Sequence, residues 1–446
     1  MSQGSQEGFR LSPQQRRAWL LAQEGIGSIG RWCALSIEGP LDLGKLRDAA
    51  SRIASAHEIL RTTFQRRPGI RVPFQVVSET AAPAWRTVEL PAAARGDAFA
   101  AVAELVRQEE ESPFDLERGP VFRLAVGTLS DTRHVLLLGG TSLAVDRRSL
   151  HSIATAIAEA YAGRALAEPD GVSVQYADFA QWQNELLETD DDAARAAREH
   201  GSRMSSAAAC TPFGGLAGAV SPGPASRLLE PALLGKIDRF CADEKVTRPD
   251  FFLACWQTLL ARTTGETEIV TEELHPGRKL EDLRNAIGPF AKALPVLGRF
   301  DGSVPFAEAV KNVAQARRQN DEWEEYFGRP EDLEASLSAR TRRTGFEYAE
   351  RPEPVFGAVT FSIVREFAPP DGWPIWFECV REGDGVRMTC GAEASPAAQA
   401  AAGRLANHLE ILIRAAAESG GTPAGELPIL GDEERRMLLV EWNRTS

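Results

Sequence analysis

The chain alternates between stretches with the apolar spacing of helices and short, continuous apolar runs. Residues 134–138 (HVLLL) form such a run, typical of a strand that is covered on both faces of its sheet. After it, apolar residues recur at helical spacing; these are Leu150, Ile153, Ala154, Ile157 and Tyr161. The segment between them, GGTSLAVDRR (139–148), is therefore predicted to lead from a strand into a helix. Alternation of this kind predicts an α/β fold.

Helix signals are also clear near both ends of the chain. In LSPQQRRAWLL (11–21), Ser12 suits the cap, Pro13 the first helical position, and Gln15 completes a capping box. A second helix is predicted to begin after Asp42. Towards the C-terminus the pattern predicts strands near 356–366, 375–382 and 386–393, followed by a long helix at 396–418.

The apolar rhythm weakens between residues 186 and 228, a stretch that is rich in small residues, glycine and proline. We interpret its second half as a linker or a mobile crossing. The pattern of helices and strands restarts after it, which indicates two related lobes with a ligand cleft between them. The predicted division is an N-terminal lobe at 1–185, a crossing segment at 186–228, a C-terminal lobe at 229–428 and a linker at 429–446.

Composition excludes several classes of function. The net charge of −13 argues against a surface that follows nucleic-acid phosphates. No run of about 18 apolar residues occurs, so no membrane span is predicted. The polar start MSQGSQEGFR lacks a secretory signal, and the six cysteines are widely separated, which favours the reducing cytoplasm. None of the six histidines is spaced like a zinc motif, so the sequence predicts no metal site.

Seven short motifs and the ending carry a family resemblance. In order they are LSPQQRRAWLL (11–21), HEILRTTF (57–64), SPFDLERGPVFRLAV (112–126), QYADFAQW (175–182), PGR (276–278), AIGPFAKALP (286–295) and GDGVRMTCGAEAS (383–395), before LPILGDEERRMLLVEWNRTS at the end. In order and spacing the chain resembles the condensation domains of nonribosomal peptide synthetases. The ending is similar to the segment that joins such a domain to a following adenylation domain.

The resemblance implies two chloramphenicol-acetyltransferase-like lobes arranged in a V around a central tunnel. It also implies partners: upstream and downstream peptidyl carrier proteins, whose phosphopantetheine arms enter from opposite faces, and a downstream adenylation domain. No cofactor is expected to bind the domain directly. The reaction of the family transfers a carrier-bound acyl thioester to an aminoacyl acceptor and makes a peptide bond.

The segment at 139–148 departs from the family signature HHxxxDG. Aligned on Asp146, it reads TSLAVDR, so Thr141 and Ser142 stand at the positions of the first and second histidines and Arg147 at the glycine. In the family the second histidine faces the reacting groups. A serine hydroxyl cannot take its role as a base, because among side chains only imidazole titrates near neutral pH unperturbed. The resemblance assigns Asp146 a structural pairing with Arg278 of the PGR motif.

Three functions follow as hypotheses. The first is a condensation-like domain, impaired in peptide-bond formation, that acts as a structural or recruitment module for carrier proteins or a trans-acting tailoring enzyme. Oxygenase-recruiting relatives have such a role, although this chain lacks their HRxxxDD pattern. The second is a non-standard acyltransferase that works by positioning alone. The third is a passive relic that packs against the adenylation domain. Bulky residues at 373, 376 and 377 either plug the tunnel or pack on a strand.

Overall fold

The computed structural model describes residues 8–25, 29–79, 82–94, 96–164, 174–206, 225–328, 344–367, 372–392 and 396–437. The strands are β1 (Phe9–Arg10), β2 (Gly30–Glu38), β3 (Thr62–Gln65), β4 (Phe74–Val77), β5 (Ala84–Val88), β6 (Phe122–Ser130), β7 (Arg133–Thr141), β8 (Ala225–Leu229), β9 (Glu268–His275), β10 (Lys292–Arg299), β11 (Thr344–Glu350), β12 (Thr360–Phe367), β13 (Ile375–Glu382) and β14 (Gly385–Ala392). The helices are α1 (Pro13–Gln23), α2 (Leu43–Ala56), α3 (Ala98–Glu110), α4 (Arg147–Tyr161), α5 (Tyr176–Glu188), α6 (Asp192–Ser206), α7 (Pro231–Glu244), α8 (Arg248–Thr264), α9 (Phe306–Trp323), α10 (Pro396–Glu418) and α11 (Asp432–Arg436).

The first large sheet has the order β12-β2-β7-β6-β5. Its strand β7 is buried at every position after the first, because alternate side chains enter two different cores. Leu136 and Leu138 join the core that includes residues of α2 and α4, whereas Val135 and Leu137 join the core that includes residues of α3. The apolar run at 134–138 is thus a strand with both faces covered, which confirms the prediction from its pattern.

The second large sheet has the order β10-β9-β11-β13-β14-β8. Side chains of α7, α8, α9 and α10 contribute to one core against it. Helix α8 lies deepest, since all its residues from Asp250 to Ala261 are buried. A capping box between Thr247 and Asp250, with Pro249 in the first turn, begins this helix, and Gly265 ends it in a left-handed conformation with φ of 77°. A separate small sheet pairs β1, β4 and β3.

The chain crosses between the two large sheets more than once. Strand β12 belongs by sequence to the predicted C-terminal lobe at 229–428, yet it pairs antiparallel with β2 of the first sheet. Its Phe361 side chain packs in the core of the first sheet, so this strand links the predicted C-terminal lobe to the first sheet. Part of the predicted crossing segment at 186–228 is the packed helix α6, and its end is strand β8. Residues 207–224 lie outside the described ranges, so the linker there stays a prediction.

The apolar pattern of the sequence did not predict helix α6, because small residues form its buried face. Ala194 and Ala197 are buried, and the buried His200 contacts Asn320 of α9 at 2.9 Å. Among the described residues, none of the helices combines the length and the apolar character needed to cross a membrane.

Replacing Phe361 with alanine tests the crossing strand β12. Phe361 is 3% exposed, and its ring meets the ring of Tyr161 edge-on at 5.3 Å between centroids. We expect Phe361→Ala to lower the free energy of unfolding by about 3–5 kcal/mol, because it leaves a cavity in the first core. The matched control is Phe356→Ala, since Phe356 is 65% exposed; it should change stability by about 0.5 kcal/mol or less. Equal effects in urea denaturation would contradict the assignment of β12.

Candidate functional site

The segment at 139–148 is a tight strand-to-helix connection. Strand β7 ends at Thr141, whose carbonyl accepts hydrogen bonds from the N–H groups of Ala144 at 2.8 Å and Val145 at 3.0 Å. Helix α4 then begins at Arg147, with Asp146 as its cap; the carboxylate accepts the Ser149 N–H at 2.7 Å. Local hydrogen bonds therefore determine where each side chain of the connection points.

Asp146 forms a bidentate contact with Arg278 across the two halves of the chain. Nη1 and Nη2 of Arg278 donate to the two carboxylate oxygens at 2.9 and 3.1 Å. The Ala291 N–H donates to the same carboxylate at 3.1 Å. The side chains of Asp146 and Arg278 are only 9% and 2% exposed. A buried pair with this geometry satisfies both charges and holds the connection in one shape.

Arg278 of the PGR motif also contacts the AIGPFAKALP motif (286–295) and the first turn of α4. Its Nη2 donates to the Ser149 hydroxyl at 2.7 Å and to the Gly288 carbonyl at 3.2 Å, and its guanidinium lies 4.6 Å from the centre of the Phe290 ring. Gly277 is required beside it, because its φ is 66° and a Cβ would lie 1.8 Å from the Phe290 carbonyl oxygen. Three separate motifs thus build one buried scaffold.

The pKa of Asp146 follows from these contacts. Burial by itself raises the pKa of the carboxyl, but the charge and hydrogen bonds of Arg278 and the hydrogen bonds of Ser149 outweigh it. The net result is a pKa below its usual range. Asp146 is therefore ionised at neutral pH and is not available as a proton donor.

Thr141 and Ser142 are buried beside this scaffold, 0% and 7% exposed. The Ser142 N–H donates to the Ile29 carbonyl at 2.7 Å, which anchors the residue by its backbone. Within the described part of the chain, no group makes a hydrogen bond to the Ser142 hydroxyl. His151 of α4 instead contacts Glu366 at 2.8 Å. Ser142, which the sequence resemblance places at the second histidine of the signature, thus makes no hydrogen bond to a basic side chain among the described residues.

Arg147, at the glycine position of the signature, reaches the second sheet. Its Nε and Nη2 donate to the two carboxylate oxygens of Glu347 at 3.0 and 3.2 Å, and Nη2 also pairs with Glu378. Glu347 lies on β11 and Glu378 on the neighbouring β13. The Arg147 side chain is 10% exposed. A second charged contact therefore joins the start of α4 to the other half of the molecule.

The acidic partners of Arg147 extend into a larger buried cluster. Arg351 forms two hydrogen bonds with Glu366, at 3.1 and 2.6 Å, and Glu366 also contacts His151. Burial, together with the nearby charges of Glu347 and Glu366, raises the pKa of Glu378 to about 7 despite the opposing effect of Arg147. We call Arg147, His151, Arg351, Glu347, Glu366 and Glu378 the interlobe charge cluster.

Sequence reasoning missed the interlobe charge cluster apart from Arg147. The arginine was visible as a departure from the signature, but nothing near it in sequence indicated its partners, which lie about 200 residues away. The structure also shows what two of the bulky residues near 373–377 contact. Trp373 donates to Glu272 at 2.7 Å, and Phe377 is fully buried in the core of the second sheet. Phe377 is therefore a packing residue of β13.

Comparisons with known proteins give consistent results. A family model described as Condensation domain matches residues 5–327. Tyrocidine synthase 3 of Brevibacillus parabrevis is 30% identical over 321 residues, 70% of this chain but only 5% of the synthase. The first condensation domain of the calcium-dependent antibiotic synthetase, solved with substrate analogue 3a, has a TM-score of 0.79 at 18% identity, with 96% of this chain and 100% of that chain covered.

A further solved structure is similar over nearly the whole chain. It is the complex of the X-domain and OxyB from teicoplanin biosynthesis, with a TM-score of 0.75 at 24% identity, covering 97% of this chain and 98% of that chain. These likenesses confirm the predicted α/β fold with two chloramphenicol-acetyltransferase-like lobes.

Replacing Asp146 with asparagine tests the buried pair. Asp146→Asn leaves the Arg278 guanidinium without its counter-charge, so we expect a loss of about 3–5 kcal/mol in the free energy of unfolding at pH 7. Because the pKa of Asp146 is lowered in the folded state, its contribution is complete above the unfolded pKa of about 3.9 and is lost as the pH falls through the folded pKa. The difference between variant and wild type should therefore narrow below about pH 4.

The matched control is Asp42→Asn. Asp42 caps α2 by accepting the Lys45 N–H at 3.0 Å, as Asp146 caps α4, and asparagine is an equally good cap. Urea unfolding across a pH series should show little change for this variant. A loss of equal size in both variants would mean that capping, and not the arginine, explains the effect.

Replacing Arg147 with methionine tests the interlobe charge cluster. Methionine keeps the length of the side chain but leaves Glu347 and Glu378 buried without a cation, so Arg147→Met should cost about 3–5 kcal/mol at pH 8. The control is Arg148→Met at the exposed neighbouring position, with an expected change of about 0.5 kcal/mol or less. A stability of Arg147→Met equal to that of the control, measured by urea denaturation, would show that the contacts to Glu347 and Glu378 contribute nothing.

Proposed function

Because this chain belongs to the family of condensation domains of nonribosomal peptide synthetases, we propose that it is a condensation-type domain impaired in ordinary peptide-bond formation. We propose further that it serves as a structural or recruitment module for carrier proteins or a trans-acting enzyme. The chain spans 5% of the length of tyrocidine synthase 3, so the activity of a whole synthetase is not ascribed to it.

The observation that carries the proposal is the state of Ser142. A serine becomes a nucleophile or a proton carrier only with an adjacent base. The Ser142 hydroxyl makes no hydrogen bond to a base among the described residues, and Thr141 beside it is a second hydroxyl that cannot titrate near neutral pH. A positioned general base contributes about 10²–10⁴-fold to a rate, and the domain forgoes this factor.

The retained scaffold supports a role that depends on shape. The pair of Asp146 and Arg278 is buried and complete, and Ser149 and Gly288 are bonded to it. The adjacent Arg147 adds charged contacts to β11 and β13. Because these contacts stabilise the junction of the lobes without using a histidine, the domain can present an ordered surface to partners while its chemistry is lost.

Recruitment is the form of that role which the comparisons favour. The X-domain that resembles this chain forms a complex with OxyB. By analogy, we propose that this domain binds the upstream and downstream carrier proteins, with their phosphopantetheine arms, and brings a trans-acting tailoring enzyme to a carrier-bound substrate. A following adenylation domain is the further partner that the family resemblance implies.

A second candidate, acyl transfer by positioning alone, is favoured by the intact loop geometry around Asp146 and Arg278. Holding two reactants in place can supply about 7–11 kcal/mol of a barrier. An α-amino group has a pKa of about 7.7–8.0, so part of the acceptor amine is neutral near pH 7 without a base. The two candidates differ in a single measurable quantity, the rate of condensation.

The test measures condensed product by mass spectrometry after mixing the domain with loaded donor and acceptor carrier proteins of its own assembly line. We expect product close to the level without the domain. A rate about 10²-fold or more above that level would reject impairment and support transfer by positioning. A pull-down of the same carriers and of tailoring enzymes from the same pathway should show binding; failure of all of them to bind would reject recruitment.

A restored signature provides the companion measurement. The variant Thr141→His, Ser142→His returns the two histidines and keeps the contacts of Arg147 with Glu347 and Glu378, and we expect it to form more product than wild type. Ser130→His, which adds a histidine at an exposed end of β6, is the control and should have no effect. An equal gain in the control would show that the histidine acts nonspecifically.

A further inference from the structure

Three potential metal ligands meet at a place that the proposed function does not use. His275 ends strand β9, Asp321 lies on α9, and Glu324 begins the short 3₁₀ turn Glu324–Tyr326. One nitrogen or oxygen atom of each lies within 4.8 Å of the others. We propose that His275, Asp321 and Glu324 form a binding site for one divalent transition-metal ion, with Zn²⁺ as the expected occupant.

His275 is oriented like a metal-ligating histidine whose other ring nitrogen bonds to a carboxylate. Its Nε2 lies 3.1 Å from Oε2 of Glu273, and Glu273 is itself held by two nitrogens of Arg317 at 2.7–3.0 Å. An ionised carboxylate at Nε2 selects the tautomer with its proton on that nitrogen. Against the lowering effect of burial, Glu273 also raises the pKa of His275, so an ion must displace the proton on Nδ1. In the neutral ring Nδ1 then offers its lone pair, which is the usual arrangement of a carboxylate, a histidine and zinc.

The distance between His275 and Asp321 fits two ligands of one ion better than a direct bond. Nδ1 of His275 lies 3.5 Å from Oδ1 of Asp321. A charge-assisted hydrogen bond between them would measure about 2.7–2.9 Å. Two atoms that bind one tetrahedral Zn²⁺ at about 2.0–2.2 Å are roughly 3.3–3.6 Å apart. The spacing therefore leaves room for an ion between the two side chains.

Glu324 is the second, independent indication of a ligand. The residue is 5% exposed, and its carboxylate receives no hydrogen bond from the described residues. Burial raises the pKa of Glu324 and the nearby charges of Lys292 and His275 oppose the rise, but neither of them donates a hydrogen bond to the carboxylate. The nearest basic candidate, Lys292, pairs with Glu325. A cation bound at His275 and Asp321 would give the Glu324 carboxylate a direct contact that it does not have among the described residues.

The chemistry of the three donors indicates the ion. One imidazole nitrogen and two carboxylate oxygens suit Zn²⁺, whereas sites of oxygen alone suit Mg²⁺ or Ca²⁺. The Asp321 side chain is 55% exposed, which provides a path for entry and a side open to a water ligand. The sequence predicted no metal site because His275 lies 46 residues from Asp321, far outside the spacing of a local motif.

The test is isothermal titration of the tag-free, chelator-treated domain with Zn²⁺. We expect one ion per chain, with Glu324→Gln and His275→Gln each weakening the affinity at least about 10-fold. The control is Glu322→Gln, an exposed residue of α9 next to Asp321, which should bind as wild type does. Titration with Co²⁺ should give visible ligand-field bands that Glu324→Gln abolishes.

Two results would overturn the site: the absence of saturable binding in wild type, or binding of unchanged strength in both site variants. Thermal melting without metal checks that each variant is folded. Glu324→Gln is nearly isosteric and removes a carboxylate that accepts no hydrogen bond from the described residues, so it remains informative even where His275→Gln disturbs folding. The condensation assay is independent of this measurement, and failure of either proposal leaves the other intact.

Discussion

The bidentate contact between Asp146 and Arg278 is the interaction on which the rest of the site depends. One carboxylate caps α4, accepts the Ala291 N–H and neutralises the guanidinium, so three segments meet at a single charge. Because a buried charge is costly unless it is paired and hydrogen-bonded, these segments cannot separate without a large loss of stability. The shape of the connection at 139–148 therefore does not need the histidines of the family signature.

The neighbouring Arg147 forms a second buried ion pair, to which α4 contributes the cation, whereas Asp146 contributes an anion to the first. It places a cation from the first turn of α4 against Glu347 and Glu378 of the second sheet, beside the pair that Asp146 makes with Arg278. The two contacts join α4 to the other half of the molecule through adjacent residues. The connection at 139–148 therefore acts as a structural joint between the two sheets, which is the physical basis for proposing a docking role.

Local elements followed closely from the sequence. The pattern predicted a helix at 396–418 and a strand at 375–382, and the structure has the helix Pro396–Glu418 and the strand Ile375–Glu382. The capping box of Ser12 and Gln15 is present as predicted. In contrast, the strand predicted near 356–366 is Thr360–Phe367 and pairs with β2, more than 300 residues away. Periodicity reports which face of a strand is buried and not which strand lies beside it.

The sequence by itself determined the alternation of helices and strands and the family resemblance, and it predicts that Thr141 and Ser142 replace the signature histidines, because each depends on residues that are close in the chain. Only the tertiary structure decided which acids meet Arg147, where β12 pairs, and that His275 faces Asp321 and Glu324. The physical reason is that the pairing of buried charges depends on their distance in space and on their removal from water. Both are fixed only when distant segments pack together.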